Sequence, residues 1–512
     1  MKVPTEGMKI GTSRRDFLRG LAGASVFAIG GACPIGGQKI KLAAVGIMGK
    51  GFDDWTSMLK TGLVEMVAFC DCDATMRGRA QTRLAAEGIA FDMCSVPFYT
   101  DYRRLLDDAG ALGIEAMTIS TPDHVHAPVA IRAMKQGIHV YVQTPLVRTL
   151  WELDYFNRTA RERGAVVQMG NQGSSLDSLR RSTEVIQSGI LGDVKEVHVW
   201  TNRVSWAQGQ AVAVWVRRHP NGNKVRSGLN WDAWLATARA RPFLDRYPKE
   251  ASVCGPLTRG TDVYHAFAWR GFSDFGCGAL GDRACHMMNL PFRGLELAGV
   301  SDAECLWCEE SNDVSYPAKS VVRMTFKARD SKARPGVRLP EVTLFWHEGV
   351  GPTDPCTSGN RPTANLMAKV TKTFGSVPDT GCCIIGSKGS VFVRDDYGEN
   401  CMLALNDDGN FVDVLEHEAA KGVARTIPFC NEGHSSEFLR AIRGEGGSYE
   451  QTHSRCFSDV EHCIPQMEGI LIGCIAQQVP GRLLWDAARQ AFAGNAAANA
   501  LVRPYVREGW EF

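Results

Sequence analysis

The chain has almost no net charge and no long apolar run. Its 57 Lys and Arg residues balance 56 Asp and Glu, leaving a formal charge of +1. So even a balance gives no electrostatic footprint for nucleic acid or an anionic membrane as main partner. No stretch of about 20 uncharged apolar residues occurs, so nothing in the sequence reads as a membrane-spanning helix. Internal repeats and low-complexity segments do not stand out. The 17 cysteines are numerous but scattered, and none falls in a CxxC…CxxC pattern that would suggest zinc. Pairs such as Cys70/Cys72 and Cys382/Cys383 sit in apolar runs and read as structural thiols. No metal site is expected. What is there is ordinary for a globular protein, with 44% hydrophobic and 22% charged residues. The length, 512 residues, exceeds one ordinary core and points to two large domains.

Residues 1–38 read as a targeting segment. Ser13-Arg14-Arg15-Asp16-Phe17-Leu18-Arg19 has the form of a twin-arginine export signal, and the apolar run from Gly20 to Ala32 is too short to span a bilayer. The expectation is export to the periplasm by the twin-arginine machinery, already folded. Cys33 is a candidate lipid-anchor site, although Gly30 suits such a box poorly.

Residues 39–170 read as a dinucleotide-binding domain. A buried strand, Lys39 to Val45, runs into Gly46-Ile-Met48-Gly49-Lys-Gly51. A helical segment (Phe52 to Lys60) and a second strand (Val64 to Cys70) follow, ending at Asp71. Glycines let backbone N–H groups and a helix N-terminus approach a pyrophosphate, and an acid after the second strand suits ribose hydroxyls. Asp71 therefore favours NAD over NADP, whose phosphate it repels. The usual second glycine of the turn is Met48. Strands at 116–120, 139–142 and 165–169 alternate with helices at 128–136 and 150–163, the pattern of a parallel sheet wound on both faces. Ligands lie beyond the carboxyl ends of such strands, which gathers Met48, Asp71, Thr121, Pro122, His124, Gln143, Thr144 and Asn171 around one cleft.

Residues 264–289 carry the second cluster. Asp282 and His286 are four apart, one face of a helix if 281–290 is helical. A carboxylate holding one imidazole nitrogen leaves the other free to move a proton. Tyr264, His265 and Trp269 lie just upstream.

Residues 171–486 change character. Strand-like runs at 194–201, 303–308, 320–326, 342–347, 382–385, 390–394 and 402–405 indicate a mostly antiparallel sheet, one face covered by helices and one free for homo-oligomer contacts. Residues 229–235 read as loop with aromatic anchors, and 353–377 as a long surface loop. His434 precedes a helix over 438–443, as its cap or as a substrate contact. Residues 487–512 read as a tail packed back on the domains, anchored by Trp510.

Taken together, the Gly46–Gly51 turn, Thr121-Pro-Asp-His124, Gln168-Met-Gly-Asn171, Trp231-Asp-Ala-Trp234, Tyr264-His265…Trp269 and Asp282…His286 resemble the Gfo/Idh/MocA oxidoreductases, in particular their twin-arginine-exported bacterial branch. The resemblance implies a Rossmann domain followed by an open-sheet α/β domain, bound NAD(P), and hydride transfer at a carbinol carbon of a sugar. It also implies that Asp282 and His286 are catalytic, with His286 as base. Where that family has Glu-Lys-Pro, this chain has Gln143-Thr144-Pro145. The missing lysine leaves three functions open: a sugar dehydrogenase relying on His286, with Tyr264 or His265 assisting; a redox-neutral glycosidase that holds NAD tightly and cleaves by oxidation, elimination, water addition and reduction; or a non-catalytic sugar- or nucleotide-binding member.

Overall fold

In the N-terminal half, apolar four- to seven-residue runs alternate with helices. The computed structural model describes residues 39–202, 206–248, 261–309, 312–349, 364–430, 432–445, 456–503 and 505–512. The signal segment and Cys33 lie outside them. Strands β1 (Ile40–Val45), β2 (Val64–Cys70), β3 (Phe98–Tyr99), β4 (Ala116–Ile119), β5 (His139–Val142) and β6 (Val167–Met169) form one sheet in the order β3-β2-β1-β4-β5-β6, every pairing parallel. β4 is buried at every residue because helices cover both faces. The helix Leu150–Arg163 has the expected bounds, closed by a capping box: Thr149 Oγ1 accepts from Glu152 N at 3.2 Å, and Glu152 Oε2 accepts from Thr149 N at 2.9 Å. The helix expected to start at Pro128 starts at Asp123. Contacts far along the chain fix its first turn: Asp123 Oδ2 accepts from Cys277 N at 3.1 Å, and His124 N donates to Phe275 O.

The second sheet joins β7 (Val194–Thr201), β8 (Val300–Cys308), β9 (Ser320–Phe326), β12 (Val342–Glu348), β13 (Thr380–Gly386), β14 (Gly389–Val393), β15 (Cys401–Leu405), β16 (Val412–Asp413), β17 (Leu483–Asp486) and β18 (Ala491–Phe492). Its order is β16-β15-β14-β13-β7-β12-β9-β8-β17-β18, antiparallel except for β7 with β12; β10 (Arg329–Asp330) and β11 (Arg338–Leu339) make a small separate ribbon. The fold is thus α/β, with a parallel doubly wound sheet and a large, mostly antiparallel one, as expected.

Three segments differ from the sequence reading. Residues 231–235 are a short helix, because Asn230 Oδ1 accepts from Ala233 N at 3.1 Å and caps it. Ala364–Phe374 is a helix whose Leu366, Met367 and Val370 cover Trp200 and Phe392, where a surface loop was expected; the rest of that loop, through residue 363, is outside the described residues. Helix Val460–Ala476 went unrecognised, being apolar nearly all round and so without a helical stripe. It crosses under the second sheet. A Cβ on Gly473 would meet Leu280 at 2.9 Å, so glycine permits the close approach. One apolar core continues from Met117 and Val140 of the first sheet through Leu280 and Cys285 to Met324 and Ile470.

Within residues 487–512, Ala491–Phe492 is the edge strand β18 of the second sheet, and the last residues pack against the helices of the first. Trp510 is buried against Tyr102, with the Arg103 guanidinium 3.6 Å from its ring, and Phe512 lies between Trp151 and Tyr155.

Candidate functional site

The turn after β1 shapes the cleft. Gly46 (φ +77°) and Gly51 lie so close to neighbouring backbone that a Cβ would sit 2.4 Å from Ser120 O and 1.9 Å from Gly46 O, respectively. Only glycine allows this, and it brings the N-terminus of helix Lys50–Lys60 to the mouth of the sheet. No side chain caps that helix, so its first N–H groups face the turn. Gly49 (φ +62°) has open space where a Cβ would be. Gly46, Met48, Gly49, Asp71, Thr121 and Pro122 line a cleft whose other wall is formed by Trp234, His265 and Phe267. Gly51 does not line it; its role is the close packing beneath.

At one end stands Asp71. Its carboxylate accepts from Ile47 N at 3.2 Å and Asp73 N at 3.0 Å. Burial, only partly offset by these bonds, pushes its pKa up to about 6. Beside it, Asp73 takes bonds from His265 Nε2 at 3.2 Å and from Thr75, and its carboxyl is held down at about 2.

Thr144 and His286 are not among the residues lining this cleft; Thr144 follows β5, and its hydroxyl lies 3.3 Å from His286 Nε2. His286 stands near the end of helix Gly278–Met287 with its ring edge-on to Tyr397. Its Nδ1 is buried and has no hydrogen-bond partner. Burial lowers the imidazole to about 4 against the opposing pull of Asp282, so the ring is neutral. Asp282 is not hydrogen-bonded to His286, contrary to the expected Asp–His pair. It is held by Arg270 Nη1 at 2.8 Å and Arg283 Nε at 3.3 Å. Arg270 also reaches Asp123 at 3.4 Å, and Arg283 reaches Asp396. Asp282 therefore acts on His286 through space, inside a chain of alternating charges.

Beneath Thr144 lies a network that sequence reasoning missed. Buried Asp54 accepts from Gln143 Nε2 at 2.9 Å, from Ser120 Oγ at 2.8 Å and from the Lys50 ammonium. Gln143 thus occupies the glutamate position of the usual triplet while binding an acid from the first helix. Lys50 belongs to the glycine turn, and its charge contributes to keeping His286 deprotonated. The signal was present as Lys50 and Asp54 four residues apart on one helix face.

Several expected residues stand elsewhere. His124 is buried under the cleft, bridging Trp234 O at 2.9 Å and Phe275 O at 3.3 Å, so it fastens the two halves together rather than facing a ligand. Tyr264 is buried in an aromatic cluster with Trp231, Trp234, Phe272 and Phe275, and its hydroxyl pairs with Arg241 rather than His286. His265 faces the Asp71–Asp73 end, not His286. Asn171 is buried with its Nδ2 3.5 Å from Cys285 O and its Oδ1 unpartnered. His434 caps nothing: its helix begins at His434 itself, and its ring ties Ser175 Oγ to Met169 O.

A glycine turn at a helix N-terminus and an acid after the second strand mark a dinucleotide-binding α/β fold, and helix Gly278–Met287 adds a polar cluster beside it. Residues 42–171 match the family model GFO_IDH_MocA, described as an oxidoreductase family with an NAD-binding Rossmann fold. Among curated relatives, a glycosyl hydrolase family 109 protein 2 of Akkermansia muciniphila is 28% identical over 163 residues, 30% of this chain and 32% of the relative. A 2,7-anhydro-N-acetylneuraminate hydratase of Mediterraneibacter gnavus is 26% identical over 102 residues, 20% and 27% of the two chains. The chain thus spans about a third of the length of the curated relatives it matches. Over the whole fold it is similar to the WlbA dehydrogenase of Chromobacterium violaceum, solved with NADH and UDP-GlcNAcA (TM-score 0.54, 13% identity, 89% and 98% covered). It is also similar to an inositol dehydrogenase homolog of Azotobacter vinelandii, solved with NADH and myo-inositol (TM-score 0.53, 17% identity, 88% and 98% covered). At these identities the likeness is one of fold.

Proposed function

We propose that the protein is an NAD-dependent enzyme acting on a sugar or sugar derivative by hydride transfer at a carbinol carbon, with His286 as base. The observation that carries this reading is the pairing of a glycine-turn cleft ending at Asp71 with a neutral, partly unsatisfied His286 facing the end of β5. The residues present fit the cofactor: uncapped N–H groups of helix Lys50–Lys60 suit a pyrophosphate, and the Asp71 carboxylate suits ribose hydroxyls. Bound there, the nicotinamide supplies a place for the hydride. His286 Nε2 takes the hydroxyl proton as the C–H bond breaks. Thr144 orients that hydroxyl by hydrogen bonding and carries no charge of its own. Arg270 and Arg283 hold Asp282 in place near the ring, where its charge opposes that of the imidazolium as it forms.

The threonine at the lysine position favours a second reading, and the hydrolase relatives agree with it. In a redox-neutral glycoside cleavage the sugar is oxidised at C3, the acidified C2 proton leaves, the aglycone is expelled, water adds, and the hydride returns. This needs no cofactor turnover, which suits the export expected from the paired arginines and a tightly held NAD. We read the open face of the ten-stranded sheet as the homo-oligomer contact on the same footing.

The test begins with small molecules released from denatured protein. Nicotinamide in the released fraction is expected; its absence, together with no NAD binding by calorimetry, overturns both readings in favour of a non-catalytic member. Incubation with aryl glycosides in D₂O then separates the two. Deuterium at C2 of the released sugar marks elimination, and net NADH without cleavage marks a dehydrogenase.

A further inference from the structure

Strand β8 contains Cys305-Leu306-Trp307-Cys308, far in sequence from the cleft residues. In a regular strand, residues three apart point to opposite faces. Here the register breaks: Cys305 pairs with Val322, Trp307 with Val321 and Cys308 with Ser320, so Leu306 is the extra residue of a bulge. The bulge moves Cys308 onto the face of Cys305, opposite partners only two apart. Two strand rises are roughly 6.6 Å, within the Cα separation a disulfide bridges.

The side chains have used this placement. Cys305 Sγ lies 3.3 Å from Trp307 O, and each thiol is the leading electrostatic influence on the other. Both cysteines are half-buried, not sealed in the core as Cys277, Cys382 or Cys474 are. The neighbouring Cys305 thiol lowers Cys308 to about 7, outweighing burial, while Cys308 and then burial raise Cys305. One thiol is thus set up as a nucleophile and the other as its proton-bearing partner.

We propose that Cys305 and Cys308 form a redox-active dithiol that closes reversibly to an intrastrand disulfide by exchange with a small-molecule disulfide. The Cys308 thiolate attacks one sulfur of the incoming disulfide, forming a mixed disulfide and expelling a thiolate. That thiolate takes the Cys305 proton. Cys305 sulfur then attacks Cys308 sulfur, closing the protein disulfide and releasing the second small thiol. The protein pair loses two electrons to the reagent; the first released thiol carries the Cys305 proton, and the second takes up the proton that Cys308 gave to water on ionising. This site is independent of the sugar chemistry.

The test uses the full-length folded protein with oxidised glutathione, followed by acid quench, alkylation, tryptic digestion and mass spectrometry. The peptide spanning residues 294–319 is expected two hydrogens lighter with neither cysteine alkylated, and dithiothreitol is expected to restore both thiols. Exposed Cys94 serves as the reagent control. In C305S, with its thermal melting checked against wild type, a glutathione adduct is expected to accumulate at Cys308. In C308S, Cys305 is expected to stay largely unmodified. Free, alkylatable Cys305 and Cys308 in a sample whose Cys94 carries glutathione overturn the proposal. So does an adduct on Cys305 rather than Cys308 across the two variants.

Discussion

At the scale of single residues, the site turns on how two groups are charged. His286 is neutral because burial outweighs the nearby acid. A base of this kind loses activity only when it is protonated. The acid limb of kcat/KM is therefore expected near pH 4, well below the ordinary histidine value of about 6.5; a limb at 6.5 contradicts the assignment. Replacing it, as His286→Asn, is expected to lower kcat by about 10²–10⁴-fold while NAD binding measured by calorimetry stays the same. Asp71 belongs to the cleft. Asp71→Asn keeps the shape but removes a charged acceptor, so the dissociation constant for NAD is expected to rise by roughly 10–100-fold, since a hydrogen bond to a charged group is worth about 1.5–3 kcal/mol. An unchanged constant places the ribose elsewhere. Both residues were legible in the sequence. The partner assigned to His286 was not, because helix spacing gives a shared face and not which guanidinium reaches the acid first. Arg270 comes from a segment before the helix and captures Asp282 at 2.8 Å.

At the scale of elements, the glycine turn and the end of β12 carry the clearest consequences. Gly46→Ala puts a methyl 2.4 Å from Ser120 O at a positive φ. The strained backbone alone costs about 1–2 kcal/mol, and overpacking adds about 1–3 kcal/mol. A lower melting temperature together with weakened NAD binding is expected. Glu348 ends β12 fully buried, accepting from Gln208 Nε2 at 2.9 Å, Trp346 Nε1 at 3.1 Å and Gln477 Nε2 at 3.2 Å. Burial nonetheless pushes it up to about 7. A carboxyl raised in the fold binds its proton more tightly folded than unfolded. Its charged form costs stability fully above pH 7, and the cost fades below the unfolded value of about 4.3. Relative to Glu348→Gln, wild type is expected to gain up to about 3 kcal/mol as pH falls from 8 to 4.5, read from denaturant unfolding at each pH. A difference independent of pH removes Glu348 as a titrating group.

At the scale of the whole molecule, the last residues fasten the tail to the first sheet's helices. Trp510 is 3% exposed, beneath Arg103 and beside Tyr102. Trp510→Ala is expected to cost about 3–5 kcal/mol, the usual cost of deleting a buried large aromatic, seen as a lower unfolding midpoint. A change below about 0.5 kcal/mol makes the tail dispensable. His124 illustrates the same scale. Its place at a strand end suggested a ligand contact, yet its two ring nitrogens face backbone carbonyls of residues 234 and 275. It lies at the join of the two halves, and no local pattern reveals a join.

Local pattern alone disclosed the parallel sheet, the glycine turn, Asp71, seven of the ten strands of the second sheet and the Asp282–His286 helix. Each rests on local periodicity or on a residue type that only one backbone shape accepts. It failed where burial on all sides erases periodicity, as in helix Val460–Ala476, and where a helix is set by what it covers, as in Ala364–Phe374 over Trp200. Only the tertiary structure decided which charges meet. It gave Asp282 to Arg270 and Arg283, put Asp54 and Lys50 beneath Gln143, and kept Tyr264 in an aromatic cluster. Such pairings depend on distances of a few ångströms between side chains up to about a hundred residues apart, and a one-dimensional pattern does not carry them.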